Sequence, residues 1–326
     1  MVDAAALLRE HPLVVAAVVA YAFSLLLVFI RHRPTVPSGT APPVLIGHRG
    51  ASASCPENTR AAFVHALERG AEGIECDVRL AANGEEVVVL HDASLHRTSR
   101  GRVNSDVGGM TYEEVTAVNI GSASHPEETV PTLSDLLGLL PPGALCYVEL
   151  KGTSAALVPK VLSVCRDSDV PIRDLRFIAF SVEMLVLLKA EAPECLCYAL
   201  RWVPAPPAPE RTPLLFEPLA VLGGWLAGLE LARFAAVVKR RGLDGINLNA
   251  NPRVVTPQNV TRVRQEFGLD MGVWVLPAHH SHLLCNDVPY VWEAMARAEV
   301  SWFTSNLGPE ALAWWRAARR GDPSAG

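Results

Sequence analysis

Nine short apolar runs, at 44–48, 73–80, 86–91, 145–150, 175–180, 195–200, 244–249, 272–276 and 300–304, predict β-strands. Runs of this length bounded by polar or turn-forming residues are too short for typical helices. Patterns with helical spacing alternate with them at 57–69, 154–168, 181–192 and 228–241. Two more carry start signals: Thr132 to Leu140 opens with Thr-x-x-Asp, and Thr256-Pro257 places a capping Thr before a first-turn Pro, ending near Gly268. Strands alternating with helices predict an α/β fold, a (β/α)8 TIM barrel of parallel strands ringed by helices.

Nine candidates exceed the eight places of such a barrel, and Asn83-Gly84 resolves the excess. Asn-Gly between two apolar runs signals a tight hairpin, so 73–80 and 86–91 are read as antiparallel neighbours. A two-residue turn there places Asp77 opposite Leu90 and Glu75 opposite Asp92, which returns His91 to the side of Glu75 and Asp77. The segment 93–131 then becomes a small insertion after the second strand, near the barrel mouth.

Outside this alternation, residues 13–30 carry no charge over 18 positions, just enough to span a bilayer. Arg31-His32-Arg33-Pro34 follows in place of a small-residue cleavage site, so 1–33 reads as an uncleaved single-pass anchor. Residues 34–43 form a Pro-rich linker and 44–320 the barrel domain. Two arginines after the span against Arg9 before it favour a cytosolic domain, while the sequon Asn259-Val260-Thr261 favours a lumen. A second Pro-rich stretch, 201–213, precedes the apolar segment 214–234, whose uncharged core Pro218 to Leu229 is too short to span. That segment reads either as a barrel helix or as an amphipathic lip resting on the membrane.

With 326 residues and 50% hydrophobic content the chain can bury a full core, and a net charge of −5 argues against nucleic acid as a partner. Seven cysteines leave at least one thiol free, and none has zinc-site spacing; Cys76 faces packing. His279, His280 and His282 follow a Pro and read as a solvated loop.

The chemistry sits where strands should end. His48-Arg49-Gly50, Glu75-Cys76-Asp77, His91-Asp92 and Glu149-Leu150-Lys151 each close an apolar run. Ionisable groups at buried strand ends are costly unless a metal, a partner or a substrate compensates. Glu75 and Asp77, two apart on a strand, share a face; with Glu149 they offer three oxygen ligands suited to a hard cation, Mg2+ or Ca2+. His48 and His91 suit general acid and base work, and Arg49 and Lys151 suit phosphate. Trp274 could line the mouth, and Glu57-Asn58 opens the helical pattern 57–69, where capping competes with a site role.

The series HRG, PENT (Pro56 to Thr59), E-x-D, HD and E-L-K, in this order between residues 44 and 151, resembles the glycerophosphodiester phosphodiesterase family, and the N-terminal segment resembles its membrane-anchored eukaryotic branch. The resemblance implies metal-dependent hydrolysis of glycerophosphodiesters to sn-glycerol 3-phosphate and an alcohol. It also implies membrane lipids as partners and a luminal or extracellular domain. It gives Glu57 a supporting role beside the HRG loop. Two departures stand out: Trp274-Val275-Leu276-Pro277 where the family has W-T-V-N, and Thr304-Ser305 where it has Thr-Asp. The alternatives are a lysophospholipase D that takes lysolipids and releases lysophosphatidic acid, and a catalytically silent membrane scaffold.

Overall fold

The computed structural model describes residues 42–82, 84, 86–203, 217–276 and 285–320, with side chains left aside at 217–225. The anchor reading of 13–30, the linker, and the histidines at 279–282 therefore lie outside the described residues. No helix among the described residues is long and apolar enough to cross a membrane.

Eight parallel strands close into a barrel: β1 (Val44–His48), β2 (Gly73–Leu80), β4 (Leu145–Leu150), β5 (Leu175–Ala179), β6 (Leu196–Arg201), β7 (Gly245–Asn249), β8 (Asp270–Trp274) and β9 (Trp302–Ser305). Each pairs with the next, and β1 closes the ring by pairing with both β2 and β9. The remaining strand, β3 (Val87–Val89), pairs antiparallel with β2 outside the ring. Its register, Val78 opposite Val89, places Asp77 opposite Leu90, as the Asn-Gly turn requires, and the Leu90 N–H donates to the Asp77 carbonyl at 2.8 Å.

Helices α1 (Arg60–Glu68), α2 (Tyr112–Thr116), α3 (Leu133–Leu137), α4 (Leu157–Asp167), α5 (Val182–Glu191), α6 (Glu217–Arg240), α7 (Pro257–Phe267), α8 (Pro289–Arg297) and α9 (Pro309–Arg319) cover the outside. The helical pattern at 57–69 begins later than its spacing suggests: Thr59 caps α1, accepting from the Ala62 N–H, and Glu57-Asn58 lies before it in the loop. Helices α8 and α9 do not stand out in the pattern, yet each starts with Pro at its first turn. In the segment 214–234, Leu231 and Phe234 of α6 are buried against the barrel while Leu226 and Leu229 are exposed. The sequon opens α7, where the Asn259 amide donates to the Val254 carbonyl at 2.8 Å and lies against Gly228.

Inside the barrel, Ile46, Tyr147, Ile178, Tyr198, Leu200 and Trp302 form a plug beneath the mouth. The Trp302 indole lies directly on Gly272, where a Cβ would come within 1.8 Å of the ring. All seven cysteines are buried and free, Cys76 in the layer between barrel and helices. The insertion has its own small core of Val88, Leu90, Leu95, Val107, Val115, Val118, Ile120 and Val130, and this core fixes it over the strand ends.

Candidate active site

Strand register brings the motifs together. His48 stands beside Glu75 across β1 and β2, and Asp77 stands beside Glu149 across β2 and β4. Side chains alternate along a strand, so Glu75 and Asp77 both project inward at the C-terminal end, the end at which βα-barrel enzymes carry their chemistry. One oxygen from each of Glu75, Asp77 and Glu149 falls within a cluster no wider than 4.8 Å, with the three residues 2%, 1% and 8% exposed.

The HRG loop turns sharply to deliver Arg49. Arg49 adopts φ 55° and Gly50 φ 80°, both in the left-handed region. At Gly50 a Cβ would meet the Ala62 backbone at 2.5 Å, so only glycine lets the loop approach α1 this closely. The Arg49 N–H then donates to Glu75 Oε2 at 2.9 Å, and its guanidinium donates to Glu57 at 2.9 Å and lies 3.3 Å from Asp77. Lys151 Nζ sits 2.6 Å from Glu149 Oε1 and 3.0 Å from Asp77 Oδ1 and pairs with both carboxylates.

Opposing forces set the protonation states. Burial and the charges of Asp77 and Glu149 push Glu75 well above the usual carboxylate range, and burial lifts Glu149 to about 7 despite Lys151. Burial acts on Asp77 too, but Lys151 and Arg49 outweigh it and hold that carboxyl low. His48 is held down to about 3 by burial and by Arg49, and His91 is lowered mainly by burial.

The two histidines share one small cleft with Glu75 and Glu149, lined also by Arg49, Lys151 and Trp274. His91 Nδ1 meets Asp92 at 2.6 Å, and Arg79 grips the His91 carbonyl through Nε and Nη2 at 3.0 and 2.7 Å. Trp274 packs beside His48 with ring centres 6.5 Å apart and against Trp202 at 5.4 Å. On the far wall Asn247 Oδ1, Thr304 Oγ1 and Trp274 Nε1 are buried without partners. Among the described residues Glu75 Oε1 likewise has no donor, whereas Asp77 Oδ1 and Glu149 Oε1 face the Lys151 ammonium.

Several site residues escape sequence reasoning. Arg97, from the insertion, holds both Glu57 oxygens at 2.7 Å and Asp92 at 2.6 Å, so Glu57 links the HRG loop to the insertion. Asn58, read only as part of a helix start, is buried and donates to Asp77 Oδ2 at 2.8 Å. Asn306 meets His48 Nδ1 at 2.9 Å. At the Thr304-Ser305 departure, the Ser305 hydroxyl donates to Asp287, whose only advance sign is its place just ahead of Pro289.

A model of the glycerophosphoryl diester phosphodiesterase family matches residues 48–290. Among curated relatives, a glycerophosphodiester phosphodiesterase of Caldanaerobacter subterraneus is 40% identical over 100 residues, which cover 30% of this chain and 40% of that protein. Glycerophosphodiester phosphodiesterase 1 of Rattus norvegicus is 36% identical over 134 residues, covering 37% of this chain and 39% of that one. The chain thus spans about two fifths of the length of the curated relatives it matches. The fold also matches the structure of an Oleispira antarctica phosphodiesterase in complex with the product sn-glycerol-3-phosphate, with TM-score 0.62 and 20% identity, over 83% of this chain and 96% of that one.

Proposed function

The chain belongs to the glycerophosphoryl diester phosphodiesterase family, and on that premise we propose that it cleaves glycerophosphodiesters to sn-glycerol 3-phosphate and an alcohol, with the help of a divalent cation. The observation that carries this reading is the set of three buried carboxylates, Glu75, Asp77 and Glu149, whose oxygens converge within 4.8 Å in the cleft that His48 and His91 also line. Three carboxylates buried this close repel one another even with Arg49 and Lys151 beside them, and a hard cation held by Glu75, Asp77 and Glu149 would relieve that repulsion. When bound, Mg2+ or Ca2+ supplies polarisation of a phosphoryl oxygen and a lower pKa for the attacking hydroxyl.

The chain's own groups supply the rest. Arg49 and Lys151 place positive charge where the phosphoryl oxygens gain negative charge. One of His48 and His91 takes the proton of the attacking hydroxyl or water as its oxygen bonds to phosphorus. The other gives a proton to the departing alkoxide as the P–O bond breaks. Asp92 holds the His91 ring through Nδ1, leaving Nε2 for the cleft. Trp274 and the unpartnered Asn247 and Thr304 atoms form a wall suited to a small polyol, and the Oleispira protein's bound product supports glycerol phosphate. Glu57 supports Arg49 and ties the insertion to the site. A product assay on glycerophosphocholine and glycerophosphoethanolamine, with and without EDTA, tests the reading; metal-independent release of the alcohol, or none at all, would overturn it.

A second reading has its own observation. The cleft's other side is apolar, built from Ile178, Leu200 and Trp274 with Phe180 51% and Trp202 38% exposed at the lip. Such a wall favours a substrate with an acyl chain, hence lysophospholipase D activity on lysolipids that releases lysophosphatidic acid. The uncharged run at 13–30 supports single-pass anchoring beside membrane lipids, with the domain on the luminal or extracellular side by resemblance to anchored members.

A further inference from the structure

His48 and His91 are oriented by different means. His91 meets the Asp92 carboxylate directly at 2.6 Å. His48 instead meets an amide, Asn306 Oδ1, at 2.9 Å, across 258 positions of sequence. That amide is itself gripped from behind. Asp287 Oδ2 receives the Asn306 backbone N–H at 2.7 Å and faces the Asn306 side-chain nitrogen at 3.2 Å. The other Asp287 oxygen accepts from the Trp292 indole at 2.7 Å, and the Ser305 hydroxyl bridges both at 3.1 and 2.9 Å.

This network decides which end of the amide faces the histidine. Oδ2 of Asp287 already accepts one N–H, so the Asn306 atom facing it must be the NH2, since a flipped amide would set oxygen against oxygen. The Asn306 oxygen is thereby turned toward His48 and also accepts from the Ser52 hydroxyl at 3.1 Å. An acceptor beside Nδ1 requires the ring hydrogen on Nδ1. The lone pair of the neutral ring then lies on Nε2, which points toward the acids, 4.0 Å from Glu75 Oε2.

We infer that Asp287 is a positioning residue that acts through Asn306 to hold His48 in the Nδ1–H tautomer, with Nε2 presented to the cleft. The amide between them transmits orientation and cannot carry a proton onward, so His48 is aimed without receiving the direct carboxylate contact that His91 has. Asp287 and Asn306 come from the loops before α8 and after β9. They meet His48 only because β9 pairs with β1.

This inference rests on the phosphodiesterase reading for its kinetic arm alone. The spectroscopic arm needs neither substrate nor metal. Long-range 1H–15N correlation of the full-length, 15N-histidine-labelled protein, with His48 signals identified by their loss in His48→Gln, reports which ring nitrogen carries hydrogen. In the unaltered protein His48 should show one tautomer, hydrogen on Nδ1. Asp287→Ala and the near-isosteric Asn306→Leu should each give a mixture, and each should lower kcat about tenfold or more with KM changed less than about twofold, as for loss of a group that fixes a ring's tautomer. Asp287→Asn keeps an acceptor at the Oδ2 position and should recover most of the loss. Should Asp287→Ala fail to fold, Asn306→Leu reads the same link, because it leaves the Trp292 and Ser305 bonds to Asp287 in place. A single Nδ1–H tautomer retained in Asn306→Leu, or a loss carried by KM with kcat intact, would overturn the inference. Absence of any phosphodiester cleavage would instead sink the proposed function, with the tautomer still deciding this point.

Discussion

Burial of three carboxylates beside only two cations, Arg49 and Lys151, should be measurable as stability. Glu149 stands at 4.5 in an unfolded chain and at about 7 in the fold, where burial outweighs Lys151. A carboxyl whose pKa is raised by folding binds more protons folded than unfolded between those two values. Its favourable contribution is therefore complete below about 4.5 and is lost as pH rises through 7. At about 1.4 kcal/mol for each pH unit, the lift of about 2.5 units costs at most about 3 kcal/mol of metal-free stability by pH 8. His48 pulls the other way, because its pKa is lowered to about 3 in the fold, so the raw pH curve of the protein mixes both effects. The difference between the protein and Glu149→Gln isolates the carboxyl. Melting in EDTA from pH 5 to 8 should show the variant gaining on the parent as pH rises, by up to about 6 °C at pH 8 for a domain of this size. Millimolar Mg2+ or Ca2+ should stabilise the parent more than the variant and more at pH 8 than at pH 5. Parallel melting curves for the two proteins across this range would refute the account of a buried carboxylate that Lys151 only partly compensates.

Four further outcomes are expected. His48→Ala and His91→Ala should each lower kcat by about 10² or more with unchanged folding; with a p-nitrophenyl leaving group the variant lacking the acid should recover, and full activity in either variant removes that histidine from the mechanism. Gly272→Ala should destabilise by about 1–3 kcal/mol or more, read as a lower denaturation midpoint, because its methyl enters the Trp302 ring; an unchanged midpoint would show that the barrel plug yields freely. Phe180→Ser with Trp202→Ser should depress activity on lysolipids while sparing glycerophosphocholine; equal loss on both would remove the acyl-chain role of the wall. Carbonate extraction should leave the full chain in the membrane pellet and release a chain lacking residues 1–40; a mature form beginning near residue 31 would indicate cleavage instead.

How much was legible without coordinates depends on how locally each feature is encoded. Period-two alternation is enough to set Glu75 and Asp77 on one face, and the Asn-Gly pair is enough to fix the β2–β3 register that returns His91 to them. The barrel follows from alternation, and α8 and α9, each led by Pro, complete its outer ring at the C-terminal end. Glu57 carries a different lesson: its loop position, its bond to Arg49 and its grip by Arg97 are invisible to a local pattern that reads it as the start of a helix.

By itself, then, the sequence determined the strand ends, the acids on a shared face, the hairpin and the family, because turn chemistry and strand pleat act over a few residues. Only the tertiary structure decided which partners hold those groups. Asn58 reaches Asp77, Arg97 reaches Glu57, and Asp287 reaches His48 through Asn306, across separations that no local rule spans. Those contacts exist because closing the sheet brings β9 against β1 and lays the insertion's own core over the strand ends.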